Sequence, residues 1–420
     1  MADSSPERGD ALVRPVLLAA VVFGIVLRLV WPADMEWKAD EQRMFTWASA
    51  VGVTEPWPSL GMESGVRIPN PPLSVWIFVP LARAAGNPVV LVQIVQAINV
   101  LALLGFLVFG SSRMFSDAAR RLWFAGLALQ AVNPLAVTLS RKIWAQSLMP
   151  AFALAVFSGH AFRTLRVGAF LWGLCGMLAG QVHMSGFVLQ AVLAIWTWFV
   201  ERRLAGGQLR TRWPYWFAGS LVAAIPLWSW LASVTQPGGS FSRDWTATRE
   251  PRALLLWLVD GLGVNTEYLY TPDWIWFLGE PRFAGTPTYG MAAVHLILAG
   301  VALYCLGRWL VTIRPSLVPS LEHGDLWLWI HAAAFGVTAL LMLAGVKART
   351  HYVIVLYPLP FVWLAWLIST YGGRRLYQAV LVLQLLISVA VLWQVHRDGG
   401  VPTGAYGASY RAQMRQPPTP

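Results

Sequence analysis

The chain has 420 residues, of which 57% are hydrophobic and only 12% charged, with a net charge of +11. A soluble domain carries roughly 25% charged residues, so a water-soluble globular fold is excluded, and the basic surplus, spread over many short loops, points to anionic lipid or phosphate rather than nucleic acid. The apolar residues form continuous runs of about 18–22, long enough to cross a bilayer core of roughly 30 Å as helices. They do not alternate as barrel strands would, so the fold expected is an all-α polytopic membrane protein.

In chain order, a tail over 1–11 precedes about eleven expected spans. These lie near 12–31, 88–110, 122–140, 147–163, 168–182, 184–200, 214–233, 287–307, 326–345, 352–370 and 376–394. The first run lacks a small-residue cleavage signature and reads as an anchor rather than a cleaved signal peptide. The stretch 168–200 is barely long enough for two crossings, and its Gly180–Gly186 segment reads as a turn. Two short crossings keep the arginine clusters at 113–121, 163–166, 202–212, 308–314 and 374–375 on one side. Cytoplasmic loops are rich in Arg and Lys, so that side is expected to be the cytoplasm of an inner or plasma membrane. The N-terminus is then inside, and the long segments 32–87 and 234–286 and the tail 396–420 are outside.

The first outer segment has internal order. Met44, Phe45, Trp47, Ala48 and Val51 share one side of 40–52, with Glu41, Gln42, Arg43, Thr46 and Ser49 towards the other. That spacing predicts an amphipathic helix at the membrane surface. Asn70-Pro71-Pro72 predicts a second short helix over about 72–85, with Asn as cap and Pro in the first turn. The Gly- and Pro-containing tail has little to bury and is expected to be loosely ordered. The 24 Trp gather near run ends, as an interfacial belt does; a few could instead line a groove and stack on a sugar. The two cysteines, Cys175 and Cys305, lie inside apolar runs and form no disulfide framework or zinc spacing.

No Asp or Glu falls within an expected span, whereas ion-coupled transporters commonly hold carboxylates at mid-membrane. The chain has 28 Arg but only three Lys, and all three, Lys38, Lys142 and Lys347, fall on the expected outer side. A compact ammonium differs from a guanidinium in what it binds, so these positions are candidates. Asp40-Glu41 stands at the start of the amphipathic helix, where an acid also interacts with the helix dipole.

The order Arg28-Leu29, Asp40-Glu41, Asn70-Pro71-Pro72-Leu73, Asn133-Pro134-Leu135 with Ser140-Arg141, and Arg349-Thr350-His351-Tyr352 followed by Tyr357-Pro358 resembles the GT-C class of membrane glycosyltransferases. It is most similar to the protein O-mannosyltransferase-like family, which includes the lipid A aminoarabinose transferase. The resemblance covers most of the chain and is clearest over 28–190 and 347–358; no large soluble domain follows the helices, so no acceptor-binding module is visible. It implies a GT-C-like domain over 12–395 that moves a sugar from a polyprenyl-phosphate carrier to an acceptor (lipid, glycan or protein) on the outer face. Asp40 would be the general base and Glu41 its support. Lys347, Arg349, His351, Arg141 and Lys142 would bind the donor phosphate, and Lys38 and His183 the substrate. A monophosphate can leave with protein cations alone, so no cofactor is required, although Asp40 and Glu41 could hold a divalent ion. The alternatives are a ligase or polymerase of lipid-linked glycans, or a transporter of lipids or small molecules.

Overall fold

The computed structural model describes residues 13–63, 68–203, 208–235, 252–312, 325–343 and 350–415. It is mostly helical, with two-residue strand pairs at 282–287 and 400–408 as its only sheets among those residues. Helices occupy every position where a span is expected. Three of them, Pro88–Gly110, Gly290–Thr312 and Gly373–Asp398, are by themselves long and apolar enough to cross a membrane. Two bent pairs raise the number to five, so the eleven crossings expected are not reached by length and composition. Proline is the physical reason for both bends, because it removes an N–H and clashes with the preceding turn. Trp213–Ala224 and Leu227–Ser233 meet at 65° around Pro226, and Thr350–Leu356 and Leu359–Tyr371 at 86° around Pro358. The expected span 122–140 is likewise divided into Asp117–Val132 and Pro134–Leu139. Asn133 turns the chain there: its side chain accepts from the N–H groups of Leu135 and Ala136 and donates to the carbonyls of Asp260 and Gly261.

The stretch 168–200 folds as two helices, Arg166–Val182 and Ser185–Arg203, that turn at His183-Met184 and pack on each other. Small residues allow the tight approach of Arg166–Val182 to Trp213–Ala224. A Cβ on Gly173 would lie 2.0 Å from the Trp216 carbonyl oxygen, and one on Gly219 2.1 Å from that of Phe170, the close backbone contact typical of helices in lipid.

Two buried arginines tie helix ends together. The guanidinium of Arg28 donates to the carbonyls of Gly24, Ala131 and Gln130, and that of Arg141 to those of Leu27, Arg28, Val30 and Trp31 at 2.6–3.2 Å. A cation at a helix C-terminus meets both the orphan carbonyls and the negative end of the dipole. Arg141→Ala is therefore expected to cost about 3 kcal/mol or more, since it strands several buried acceptors. The measurement is the midpoint of thermal aggregation in detergent; an unchanged midpoint would refute the role.

The segment 32–87, expected outside, forms helix Ala39–Ala50, then Leu73–Trp76 and Phe78–Ala85. The expected apolar face is inward, with Met44, Ala48 and Val51 buried and Phe45 and Trp47 half-buried. Asn70 is not the cap expected of it. Its amide instead donates to the Met62 carbonyl, and the Ser74 hydroxyl holds the Pro71 carbonyl. The tail is also unlike its expectation. Residues 399–415 are ordered against the segment 32–87: Tyr406 Oη donates to the Asp34 carbonyl at 2.5 Å, Gln413 to that of Trp37 at 2.7 Å, and Tyr410 packs edge-on against Trp37. Asp34 is clasped by His396 and Arg411, each at 2.6 Å.

Candidate functional site

The chain direction of the helices defines two ends of the bundle. At one end Arg163 pairs with Asp325 and Glu201, near the arginine-rich turns. At the opposite end the segment 142–146 that leads into Met149–Ala161, the turn at His183, the segment 351–352 and the segment 36–74 surround a cavity of about 380 Å³. Lys38, Asp40, Lys142, His183 and His351 all line it. Five of the nine sequence candidates, far apart in the chain, thus meet at one place.

The other four stand differently. Lys347 and Arg349 lie outside the described residues. Arg141 is turned away, its guanidinium committed to the end of helix Val13–Leu29. Glu41 is fully buried under the start of helix Ala39–Ala50 and accepts from the Lys38 N–H at 3.1 Å. One residue of helical rotation separates it from Asp40, which is exposed to the cavity and has no carboxylate partner among the described residues. The two acids therefore divide the work: one fixes the helix start, the other faces the cavity.

Sequence reasoning missed Glu36. Its carboxylate is buried and joins two of the three lysines: Lys38 Nζ lies 2.6 Å from one oxygen, and Lys142 Nζ pairs with the other. Lys38 also donates to the Ala405 carbonyl, which brings the tail into the cavity wall together with Tyr406. Lys142 is 2% exposed and its ammonium sits 3.7 Å from the centre of the Trp144 ring. Burial pulls the Lys142 pKa down, but the charge of Glu36, with Tyr268, Glu41 and the hydrogen bond to Glu36, more than offsets it, and the net shift is upward. Lys142 is thus a fixed cation. Two ammoniums share one carboxylate, in a cavity wall that also carries the carboxylates of Asp40 and Glu63.

His183 is neutral: burial pushes its pKa down to about 4, and its Nδ1 is 2.7 Å from Ser185 Oγ. Its ring stacks on Tyr352. His351 packs edge-on against Trp144 and Tyr352. Among the described residues no three His, Cys, Asp or Glu side chains converge as metal ligands do.

Burial, then the charge of Glu36, raises the Glu41 pKa to about 7. The folded chain therefore holds this proton more tightly than the unfolded chain does. Its contribution favours folding fully below the ordinary carboxylate range and is lost as pH rises through about 7. Stability measured from pH 5 to 8 is expected to fall in wild type and to fall less in Glu41→Gln; parallel curves would refute it.

The fold and cavity together define a multi-pass helical membrane protein with a charged cavity at one end of its bundle. No protein-family model matches the chain, and no curated protein matches it. Two solved structures of the archaeal oligosaccharyltransferase AglB from Archaeoglobus fulgidus are similar to it. One, in complex with an inhibitory peptide and a dolichol-phosphate, is 13% identical with a TM-score of 0.43 and is covered over 56% of its length by 94% of this chain. The other, tethered with an acceptor peptide containing the NVT sequon via a disulfide bond, is 13% identical with a TM-score of 0.40, and the coverage is 55% and 94%. The chain spans little more than half the length of either.

Proposed function

We propose that this chain is an integral-membrane glycosyltransferase of the inner or plasma membrane, which takes a sugar from a polyprenyl-phosphate donor and places it on an acceptor at the outer face. The observation that carries the reading is an exposed carboxylate, Asp40, without a partner among the described residues and facing the same cavity as the buried cation Lys142. These are the two groups that the reaction needs. Asp40 takes the proton from the acceptor hydroxyl as that oxygen attacks the anomeric carbon. The bond from that carbon to the phosphate oxygen breaks, and its electron pair stays on the lipid phosphate. Lys142, Lys38 and His351 face the growing negative charge, where fixed cations act most strongly. The cavity of about 380 Å³ is of the size that small-molecule sites have. Its place opposite the arginine-rich end supports an outward-facing site.

The test supplies membranes containing the protein with radiolabelled polyprenyl-monophosphate hexoses and pentoses. Loss of label from the lipid, greatest when donor is on the outer face of right-side-out vesicles, is the expected result. If the wild type neither transfers nor hydrolyses any of these donors, the reading fails and transport or ligation of lipid-linked glycans takes its place.

A further inference from the structure

A second cavity, of about 280 Å³, lies on the other side of the tail hairpin, walled by Asp273, Trp276, Gln394, Asp398, Val401 and Thr403. Gln394, in the last turns of helix Gly373–Asp398, is 5% exposed, and its Oε1 is buried with no hydrogen-bond partner among the described residues. A buried acceptor left unpaired is costly, so a donor is the group this wall lacks. Across the cavity Trp276 keeps half its surface open, 51%, although the Arg282 guanidinium lies 3.4 Å from the centre of its ring. A Trp that only anchors the chain at a lipid interface has no need of polar walls around it. Here both neighbouring carboxylates are already engaged, Asp273 by the Thr403 hydroxyl and Asp398 by Arg397. Arg397 meets the charge of Asp398, and lone pairs remain on both carboxylates to accept from neutral O–H groups.

An aromatic face, an orphaned amide oxygen and partnered carboxylates together suit one ligand class, an uncharged polyhydroxyl ring. Its C–H face packs on the negative face of the indole, and its hydroxyls donate to Gln394, Asp273 and Asp398. A lipid chain would meet polar walls. We infer that this cavity is a carbohydrate-binding subsite. The two cavities have no lining residue in common but draw on the same two chain segments, since Tyr268, Leu269, Ala405 and Tyr406 line the first while Asp273, Trp276, Val401 and Thr403 line the second. Resting on the glycosyl-transfer reading, the subsite holds sugar residues of a glycan acceptor beyond the hydroxyl that reacts.

The experiment is saturation-transfer-difference NMR on the full chain in lipid nanodiscs, with maltotetraose, cellotetraose and α-1,6-mannotetraose as probes at millimolar concentration. Saturation transfer from at least one probe is expected in wild type and in Asp40→Asn, with at least a fivefold loss in Trp276→Ala and in Gln394→Ala. Trp276→Phe, which keeps an aromatic face, is expected to retain most of the signal and controls for folding. No transfer from any of the three probes, or equal transfer in Trp276→Ala and Gln394→Ala, overturns the subsite. Binding of a fluorescent polyprenyl phosphate, measured in parallel and lowered by Lys142→Met, reports on the first cavity. Either reading can thus fail while the other stands.

Discussion

Asparagine at position 40 is expected to lower sugar transfer by about 10²–10⁴-fold, the usual contribution of a positioned general base. Asp40→Asn keeps the size of the side chain and one carbonyl acceptor, but an amide does not take up a proton near neutral pH. The acceptor hydroxyl would still bind and would remain a poor nucleophile. Folding should be untouched, because Asp40 is exposed and its carboxylate has no partner among the described residues; substitutions at such positions usually stay within about 0.5 kcal/mol. The measurement is the initial rate at saturating donor, alongside the thermal midpoint of the purified variant. A normal rate would remove Asp40 from the mechanism and leave Glu63 and Glu36 as the carboxylates lining the cavity. Unchanged flux of a lipid substrate in Asp40→Asn, with no transfer by the wild type, would instead favour a transporter.

The sequence made the helix start legible because a period of 3.6 residues is written locally. Met44, Ala48 and Val51 mark a buried face as their spacing predicts, whereas Glu41, placed by the same spacing towards the polar side, is fully buried because its carboxylate closes the helix start at Lys38. The helix Pro88–Gly110 has the bounds its apolar run predicts, and two helices part within the expected turn Gly180–Gly186, at His183-Met184. Glu36 was not legible. It lies in extended backbone bridged to Ser409, and its meaning comes from Lys142, more than a hundred residues away. The tail misled for a related reason. It is held by backbone carbonyls and a few polar side chains, through Ala405, Tyr406 and Gln413, so its low apolar content said nothing of its order. Arg141 misled by chemistry. A guanidinium with five donors suits phosphate, but it equally suits four carbonyls at the end of a helix. Composition alone also does not reveal that the segments around Pro226 and Pro358 are bent.

Lys142→Met, which keeps a long side chain but removes the charge, is expected to lower transfer by about 10²–10³-fold, the scale seen when one fixed group facing a developing anion is lost. It would also leave the buried carboxylate of Glu36 with Lys38 alone, and stripping one partner from a buried ion pair costs about 3–5 kcal/mol. A drop in activity alone would therefore not separate the two roles. Adding Glu36→Gln removes the carboxylate that Lys142 neutralises, so the double variant should recover most of the lost thermal stability. If Lys142 faces the leaving phosphate, the double variant stays slow despite being stable. If Lys142 serves only to neutralise Glu36, transfer returns with stability. The first outcome is expected, because Lys142 lies in the wall of the cavity that Asp40 faces, with its ammonium over the Trp144 ring as well as against Glu36.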